Sequence, residues 1–134
     1  MANYNAQTRK HLADEVYKNY SASDIPAGTA VLQDGTYDDG IVVPTAGGGV
    51  AKTIGVTVEN IPAGGRGRVA TYGIAPATAH GAVDAGTAVQ VSDTALHLGQ
   101  VKTCGAATTQ LGVAVNTAAD GEPVRVRIFV AKNA

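Results

Sequence analysis

Residues 54–60 read IGVTVEN, and residues 111–117 repeat the pattern as LGVAVNT. Each copy leads into a second related run, GRVA at 67–70 and VRVR at 124–127. In all four runs apolar residues alternate with Gly, Thr or a polar residue, which is typical of strands with one face buried. The same pair of strands is therefore predicted twice in one chain.

A third repeated stretch lies upstream of each pair. AGTAV at 27–31 returns unchanged at 85–89. The spacing from Gly28 to Gly86 differs by a single position from the spacing from Gly55 to Gly112. A shared order at a nearly constant offset predicts an internal repeat, roughly 24–80 and 81–134.

The composition of residues 24–134 favours an all-β domain. The chain contains 17 Gly and no Trp, and Gly-rich turns separate short runs of Val, Ile and Thr. Near the end, Val124, Val126, Ile128 and Val130 are predicted to share one face of a strand. Eight or more short strands at this spacing predict a compact β-barrel or sandwich built from two pseudo-repeats.

Residues 1–23 differ from the rest and are interpreted as an N-terminal arm. They contain no Gly, and Leu12, Val16 and Tyr20 are spaced by four residues, which is compatible with a short amphipathic helix. An isolated helix of this length is marginal in water, so the arm is expected to be extended or short-helical and to become ordered against a partner. The alternative is a helix packed on its own domain. On the first interpretation, a chain lacking residues 2–20 should still fold.

Charge and cysteine content exclude several classes of protein. Ten basic and eleven acidic residues nearly cancel, whereas nucleic-acid binding needs clustered Lys and Arg. The sequence offers no apolar run of the roughly 20 residues that a membrane span needs. The single Cys104 fits synthesis in a reducing cytoplasm. We therefore expect neither nucleic acid nor a membrane as a partner.

No catalytic, cofactor or metal site is predicted. Residues 46–53 resemble a phosphate-binding loop, but both required glycines are replaced, by Ala46 and Ala51, and a strand pattern follows where a helix is needed. His11, His80 and His97 are far apart in sequence and lack neighbouring ligands at metal-binding spacing. We therefore expect that the protein is not an enzyme.

The repeated β pattern resembles the small capsid cement, or head decoration, proteins of tailed bacteriophages. The resemblance covers about residues 24–130 and is carried by TIGVTV at 53–58, GRVATYGI at 67–74, VDAGTAV at 83–89, and the ending at 110–115 and 121–128. It implies a β-rich protein that trimerises on the outside of the phage head. There it would clamp neighbouring subunits of the major capsid protein against internal DNA pressure, after assembly in the bacterial cytoplasm.

The arm supplies the candidate contact residues on this interpretation. It would add a strand to the capsid protein or reach a neighbouring protomer. Apolar and aromatic side chains supply most of the contact area in such interfaces. The predicted contact residues are Tyr4, Leu12, Val16, Tyr17 and Tyr20.

Two other classes remain open at this point. A small β-rich binding module of the carbohydrate or adhesin type would need an aromatic platform, for which the β domain offers Tyr37, Tyr72 and Phe129. An enzyme with a β-clip fold would need an acid–base pair, which the sequence does not identify.

Overall fold

The computed structural model describes residues 12–105 and 108–132, and within these ranges the chain is all-β. No helix occurs in the described ranges, which confirms the predicted fold class. The strands are β1 (Leu12–Asn19), β2 (Ala30–Gln33), β3 (Gly40–Val42), β4 (Thr53–Thr57), β5 (Arg66–Thr78), β6 (Ala88–Val91), β7 (Val101–Thr103), β8 (Thr109–Ala114) and β9 (Pro123–Lys132).

The first five strands close into a barrel. β2 pairs with β3 on one side and β4 on the other, and β4 pairs with β5. β1 completes the ring, because it runs antiparallel to β5 and meets β3 in parallel at Lys18 and Asn19. Closure removes the free strand edges that an open sheet would expose. The predicted barrel is confirmed.

The other four strands extend from the second part of β5. β9 pairs with β5 from Gly73 to Thr78, and β8, β6 and β7 follow in that order. A parallel bridge between Ala79 and Val101 then links the end of β5 back to β7. The 13 residues of β5 therefore run through both groups of strands.

Two buried clusters fill the interior, and both are almost entirely aliphatic. The smaller lies within the five-strand barrel and contains Ile25, Val31, Ile41, Ile61 and Val69. The larger lies mainly among β5, β6, β8 and β9, with Leu111, Val124, Val126 and Ile128 among its members. Aliphatic burial is thus the main stabilising term, as expected for a chain without Trp.

The duplicated AGTAV stretches form matching turns. Gly28 has φ of 83° and Gly86 has φ of 85°, a region that residues with a Cβ rarely adopt. The N–H of Gly28 donates to the carbonyl of Thr57, and that of Gly86 donates to the carbonyl of Ala114. In both places the turn therefore delivers the chain into a strand beside the IGVTVEN-type stretch.

The structure corrects the interpretation of residues 12–19. They form strand β1, so the helical alternative is wrong, and they pair with this chain's own sheet. Buried Asn19 fixes the end of the strand, since its side-chain amide donates to the carbonyls of Ser23 and Ile61 at 2.8 and 3.0 Å. Backbone pairing along both edges of β1 outweighs the weak helical periodicity. Residues 1–11 lie outside the described residues.

The predicted alternation in β9 is confirmed over most of its length. Val124, Val126 and Ile128 are fully buried, while Arg125 and Arg127 are exposed. Val130 was expected on the buried face, but it is 41% exposed. The reason is that the pairing of β9 with β5 ends at Ile128, so the end of β9 extends past the larger buried cluster.

Replacing Val126 with Asp should destabilise the fold by about 3–5 kcal/mol, because an unpaired carboxylate would be buried in the larger cluster. Val130→Asp is the matched control on the same strand and should cost less than about 1 kcal/mol. Urea unfolding of both variants measures the difference. Equal losses would contradict the assignment of the faces of β9.

The pairing of β1 predicts a result opposite to that expected for a loose arm. Deleting residues 2–20 removes a barrel strand and leaves edges of β3 and β5 unpaired, so the chain should fail to unfold cooperatively. Deleting residues 2–10 keeps β1 and should leave the thermal transition within a few degrees. Circular dichroism melting distinguishes the two truncations, and a cooperative melt of the longer one would show that β1 is dispensable.

Candidate interaction surface

Four of the five predicted contact residues, Leu12, Val16, Tyr17 and Tyr20, lie on β1 or directly after it. Tyr4 lies outside the described residues. The backbone of Leu12 opens β1 opposite Gly73. Val16 lies opposite Arg68, and its side chain is 57% exposed on the outer surface of the barrel. Of the residues on β1, Val16 is therefore available to another molecule.

Tyr17 is partly committed to its own chain. Its ring packs against the smaller buried cluster, and its hydroxyl donates to the carboxylate of Glu15. Partial burial, the hydrogen bond to Glu15 and the Glu15 charge raise the pKa of Tyr17 to about 12. The phenol therefore stays neutral at physiological pH and helps to hold β1 on the barrel.

Tyr20 is stacked on a second tyrosine. The rings of Tyr20 and Tyr37 are parallel within 11°, with centroids 4.0 Å apart, and the Lys18 ammonium lies 4.9 Å from the Tyr20 centroid. Desolvation and the nearby Asp39 raise the pKa of Tyr20. This stack attaches the turn between β2 and β3 to the end of β1. It leaves Tyr37 itself 48% exposed.

Several other apolar side chains are exposed that the sequence did not mark as contacts. Leu96 is 94% exposed in the loop between β6 and β7, in a left-handed conformation with φ of 74°. Tyr72 on β5 is 63% exposed, and Phe129 on β9 is 39% exposed. The alternation in β9 already placed Phe129 outside, whereas nothing in the local sequence distinguishes Leu96.

The two arginines of β5 are neutralised within the chain. Arg66 lies 2.6 Å from Asp39, and Arg68 lies 3.5 Å from Asp14 and 3.3 Å from Glu59. The Arg66 hydrogen bond lowers the pKa of Asp39, and the hydrogen bond from the Arg68 N–H lowers that of Glu59. Exposed pairs of this kind contribute at most about 1 kcal/mol each.

The loop that resembles a phosphate-binding motif is occupied by the chain's own carboxylate. The N–H of Gly49 donates to the side chain of Asp93 at 2.8 Å, and that of Gly47 donates to the Asp93 carbonyl at 2.9 Å. A strand follows the loop, as predicted, so the helix N-terminus that would face a phosphate is not formed there. The geometry of this loop therefore offers no phosphate cradle.

Two histidines that are separate in sequence are stacked in the structure. The rings of His80 and His97 are parallel within 5°, with centroids 3.9 Å apart. His80 Nδ1 lies 2.9 Å from Ser92 Oγ, and His97 Nδ1 lies 3.0 Å from Gln100 Oε1. Desolvation lowers the pKa of His80, and the charges of His97 and Lys102 lower it further, while Asp120 opposes the shift.

A cleft of about 570 Å³ opens between residues 21–29 and residues 98–100. Its single ionisable lining residue is Asp24, whose carboxylate accepts the N–H of Ala63 at 2.9 Å. Over residues 12–105 and 108–132, three or more metal-ligating side chains do not come together. A helix long and apolar enough to cross a membrane is likewise absent from those ranges.

Comparison with known proteins identifies a matching family and similar solved structures. The family model described as "Phage cement protein" matches residues 12–128, which span β1 through most of β9. The crystal structure of the head fiber gp8.5 N base in bacteriophage phi29 superposes with a TM-score of 0.60 at 17% identity, covering 92% of this chain and 98% of that chain. At this identity the structural likeness shows the fold alone. A search of curated proteins finds no match.

The lowered pKa of His80 predicts a pH-dependent stability. Because the folded chain disfavours protonated His80, the unfolded state binds more protons near the ordinary histidine pKa of about 6.5. The free energy of unfolding should therefore fall as the pH drops from 7.5 to 5.

Urea titrations at several pH values measure this effect. His80→Gln should flatten the dependence. A slope that survives His80→Gln would assign the effect to other groups.

Proposed function

Because the chain belongs to the family of phage cement proteins, we propose that it binds the outer surface of the phage head and stabilises contacts between major capsid protein subunits. In more general terms, this protein is a structural component of the phage capsid. The proposed finer role is resistance to the outward pressure of packaged DNA. Such a role requires surface area and rigidity, and it requires no bond-making chemistry.

The observation that carries the proposal is the extent of the family match. It begins at the first residue of β1 and ends on β9, so the whole interlocked sheet belongs to the family pattern. The closed barrel and the aliphatic clusters make this unit a stiff block with few free strand edges. A stiff block loses little conformational entropy when it binds across a seam between subunits.

The contact residues on β1 are proposed with altered roles. Val16 is exposed and can contact the capsid or a neighbouring protomer directly. Tyr17 and Tyr20 contact their own chain and would act by holding β1 in place. Tyr4 and Leu12 remain proposed contacts. We also still propose that residues 1–23 form the attachment segment.

We propose that the functional unit is a homotrimer, as the family resemblance implies. A trimer that touches several capsid subunits gains effective concentration, so modest individual contacts become slow to dissociate. Assembly would take place in the host cytoplasm, and the mature location would be the capsid exterior.

We also infer that the chain contains two copies of one strand unit. The strand order β3-β2-β4-β5 is mirrored by β7-β6-β8-β9, and the two sets meet at β5 and β9. A Cβ at Gly55 would collide with the carbonyl of Ala70, and a Cβ at Gly112 would collide with that of Arg127. The bridge between Ile25 and Ile61 has its counterpart between Val83 and Ala118.

On this inference the first copy begins at β1, before the boundary suggested by the sequence. The backbone N–H of Asn19 donates to the carbonyl of Gly65, and the N–H of Ala79 makes the corresponding bond to the carbonyl of Glu122. One residue further on, the N–H of Tyr20 donates to the carbonyl of Ile41, and the N–H of His80 donates to the carbonyl of Val101. In the second copy, the end of β5 therefore occupies the position that β1 occupies in the first copy. The Tyr20–Tyr37 and His80–His97 stacks occupy corresponding positions, and the sequence offset is the same for both members of the pair.

The carbohydrate-binding or adhesin alternative has weaker support. Its aromatic platform would need Tyr37, Tyr72 and Phe129 to act together. Tyr37 is stacked on Tyr20 in the turn between β2 and β3, so it does not lie on the paired strands β5 and β9 that carry Tyr72 and Phe129. The capsid role is therefore preferred.

Purified heads of the phage that encodes this chain provide the test. Adding the chain to expanded heads that lack it should raise the temperature at which DNA is released, because each bound copy bridges capsid subunits. Release is measured with a DNA-binding dye during heating.

An unrelated β protein of similar mass controls for crowding, and unexpanded heads show whether binding waits for expansion. Co-sedimentation measures attachment in the same samples. Heads that release DNA at the same temperature with and without bound chain would contradict the cement role.

A further inference from the structure

Arg68 on β5 and Arg125 on β9 are counterparts in the two copies, related by the same offset as Gly55 and Gly112. Each donates its backbone N–H across 2.7 Å to a side chain nine residues earlier. In the first copy the acceptor is the carboxylate of Glu59, whereas in the second it is the neutral amide of Asn116. The backbone geometry is kept, but the negative charge beside the arginine is lost.

The second acid partner is lost in the same way. Asp14, which lies 3.5 Å from Arg68, is on the strand opposite Ala70. The counterpart of Ala70 is Arg127, and the residue opposite Arg127 is Ile74. Both acids that neutralise Arg68 are therefore replaced by uncharged residues, and in the described part of the chain neither Arg125 nor Arg127 forms an ion pair.

The residues opposite these arginines on the neighbouring strands are uncharged. Arg125, Arg127 and Phe129 alternate along the outer face of β9, and we call these three residues the arginine stripe. Ile74 and Pro76 on β5 and Val113 on β8 lie opposite its arginines. The stripe thus combines an aromatic ring and neighbouring aliphatic side chains with two guanidinium groups that have no ion-pair partner among residues 12–105 and 108–132.

We propose that the arginine stripe binds a carboxylate-bearing surface of a protein, and, resting on the function proposed above, that this protein is the capsid shell protein. A guanidinium group matches a carboxylate with two parallel hydrogen bonds. Arginine and aromatic residues beside apolar ones are also the composition of interface centres. A nucleic acid fits less well, because phosphate backbones are bound by long basic tracks and the chain has a net charge of −1.

The experiment compares two double variants that remove the same charge. Arg125→Gln/Arg127→Gln should weaken binding to purified expanded heads about a hundredfold, about tenfold for each lost carboxylate contact. Arg66→Gln/Arg68→Gln removes two arginines already neutralised within the chain and should change binding less than about threefold. Thermal melting of each variant confirms folding, and Arg125→Lys/Arg127→Lys should recover part of the affinity.

The outcomes separate this proposal from the function on which it rests. Heads that bind the unaltered chain and the Arg125/Arg127 variant equally well would overturn the stripe and leave the capsid role standing. Equal weakening by both double variants would also overturn it, since the effect would then be general electrostatics. Failure of the unaltered chain to bind heads would remove both proposals. Arginine-dependent binding to a short DNA duplex as strong as binding to heads would assign the stripe to phosphate instead.

Discussion

Backbone pairing along β5 is the constraint on which the rest of the structure depends. This strand is paired with β1 and β4 in its first part and with β9 in its second part. At Gly73 the two sets meet, because Gly73 is opposite Leu12 on one side and Ile128 on the other. Its φ of 96° is in a region that favours glycine, so the strand can change direction there without strain. The two groups of strands are consequently parts of one sheet.

This shared strand explains why β1 belongs to the fold. The first part of β5 needs a partner on the side away from β4, and the start of β3 needs one as well. β1 pairs with both of these strands. In the second group of strands the corresponding partner of β9 is the second part of β5. A segment that supplies missing backbone hydrogen bonds on two edges is held more firmly than its own sequence suggests.

What the sequence predicted and what it missed follow from the range of the interactions. The faces of Val124, Val126 and Ile128 follow from local alternation of apolar and polar residues, and they were predicted correctly. β1 was missed because its pairing is long-range and the spacing of Leu12, Val16 and Tyr20 also fits a helix.

The histidine stack was missed for a related reason. His80 and His97 are distant in sequence and meet only when the end of β5 comes beside the loop that follows β6. Comparing the segment around Tyr20 with the segment around His80 could have revealed both the strand and the stack. The correspondence is hard to see in the sequence, because the stacked residues are tyrosines in the first segment and histidines in the second.

The differences between the two halves are more informative about function than their similarity. Equivalent backbone hydrogen bonds are kept where side chains change, as at Glu59 and Asn116, so folding does not require the acid. In the first half, carboxylates neutralise Arg66 and Arg68, so this surface attracts a charged partner only weakly. The second half keeps one of these two arginines, as Arg125, has Arg127 where the first half has Ala70, and lacks the acids that neutralise Arg68. Exposed ion pairs of this kind change the free energy of unfolding by no more than about 1 kcal/mol. Their presence in the first half and absence from the second is therefore better explained by what the second half contacts than by what it needs in order to fold.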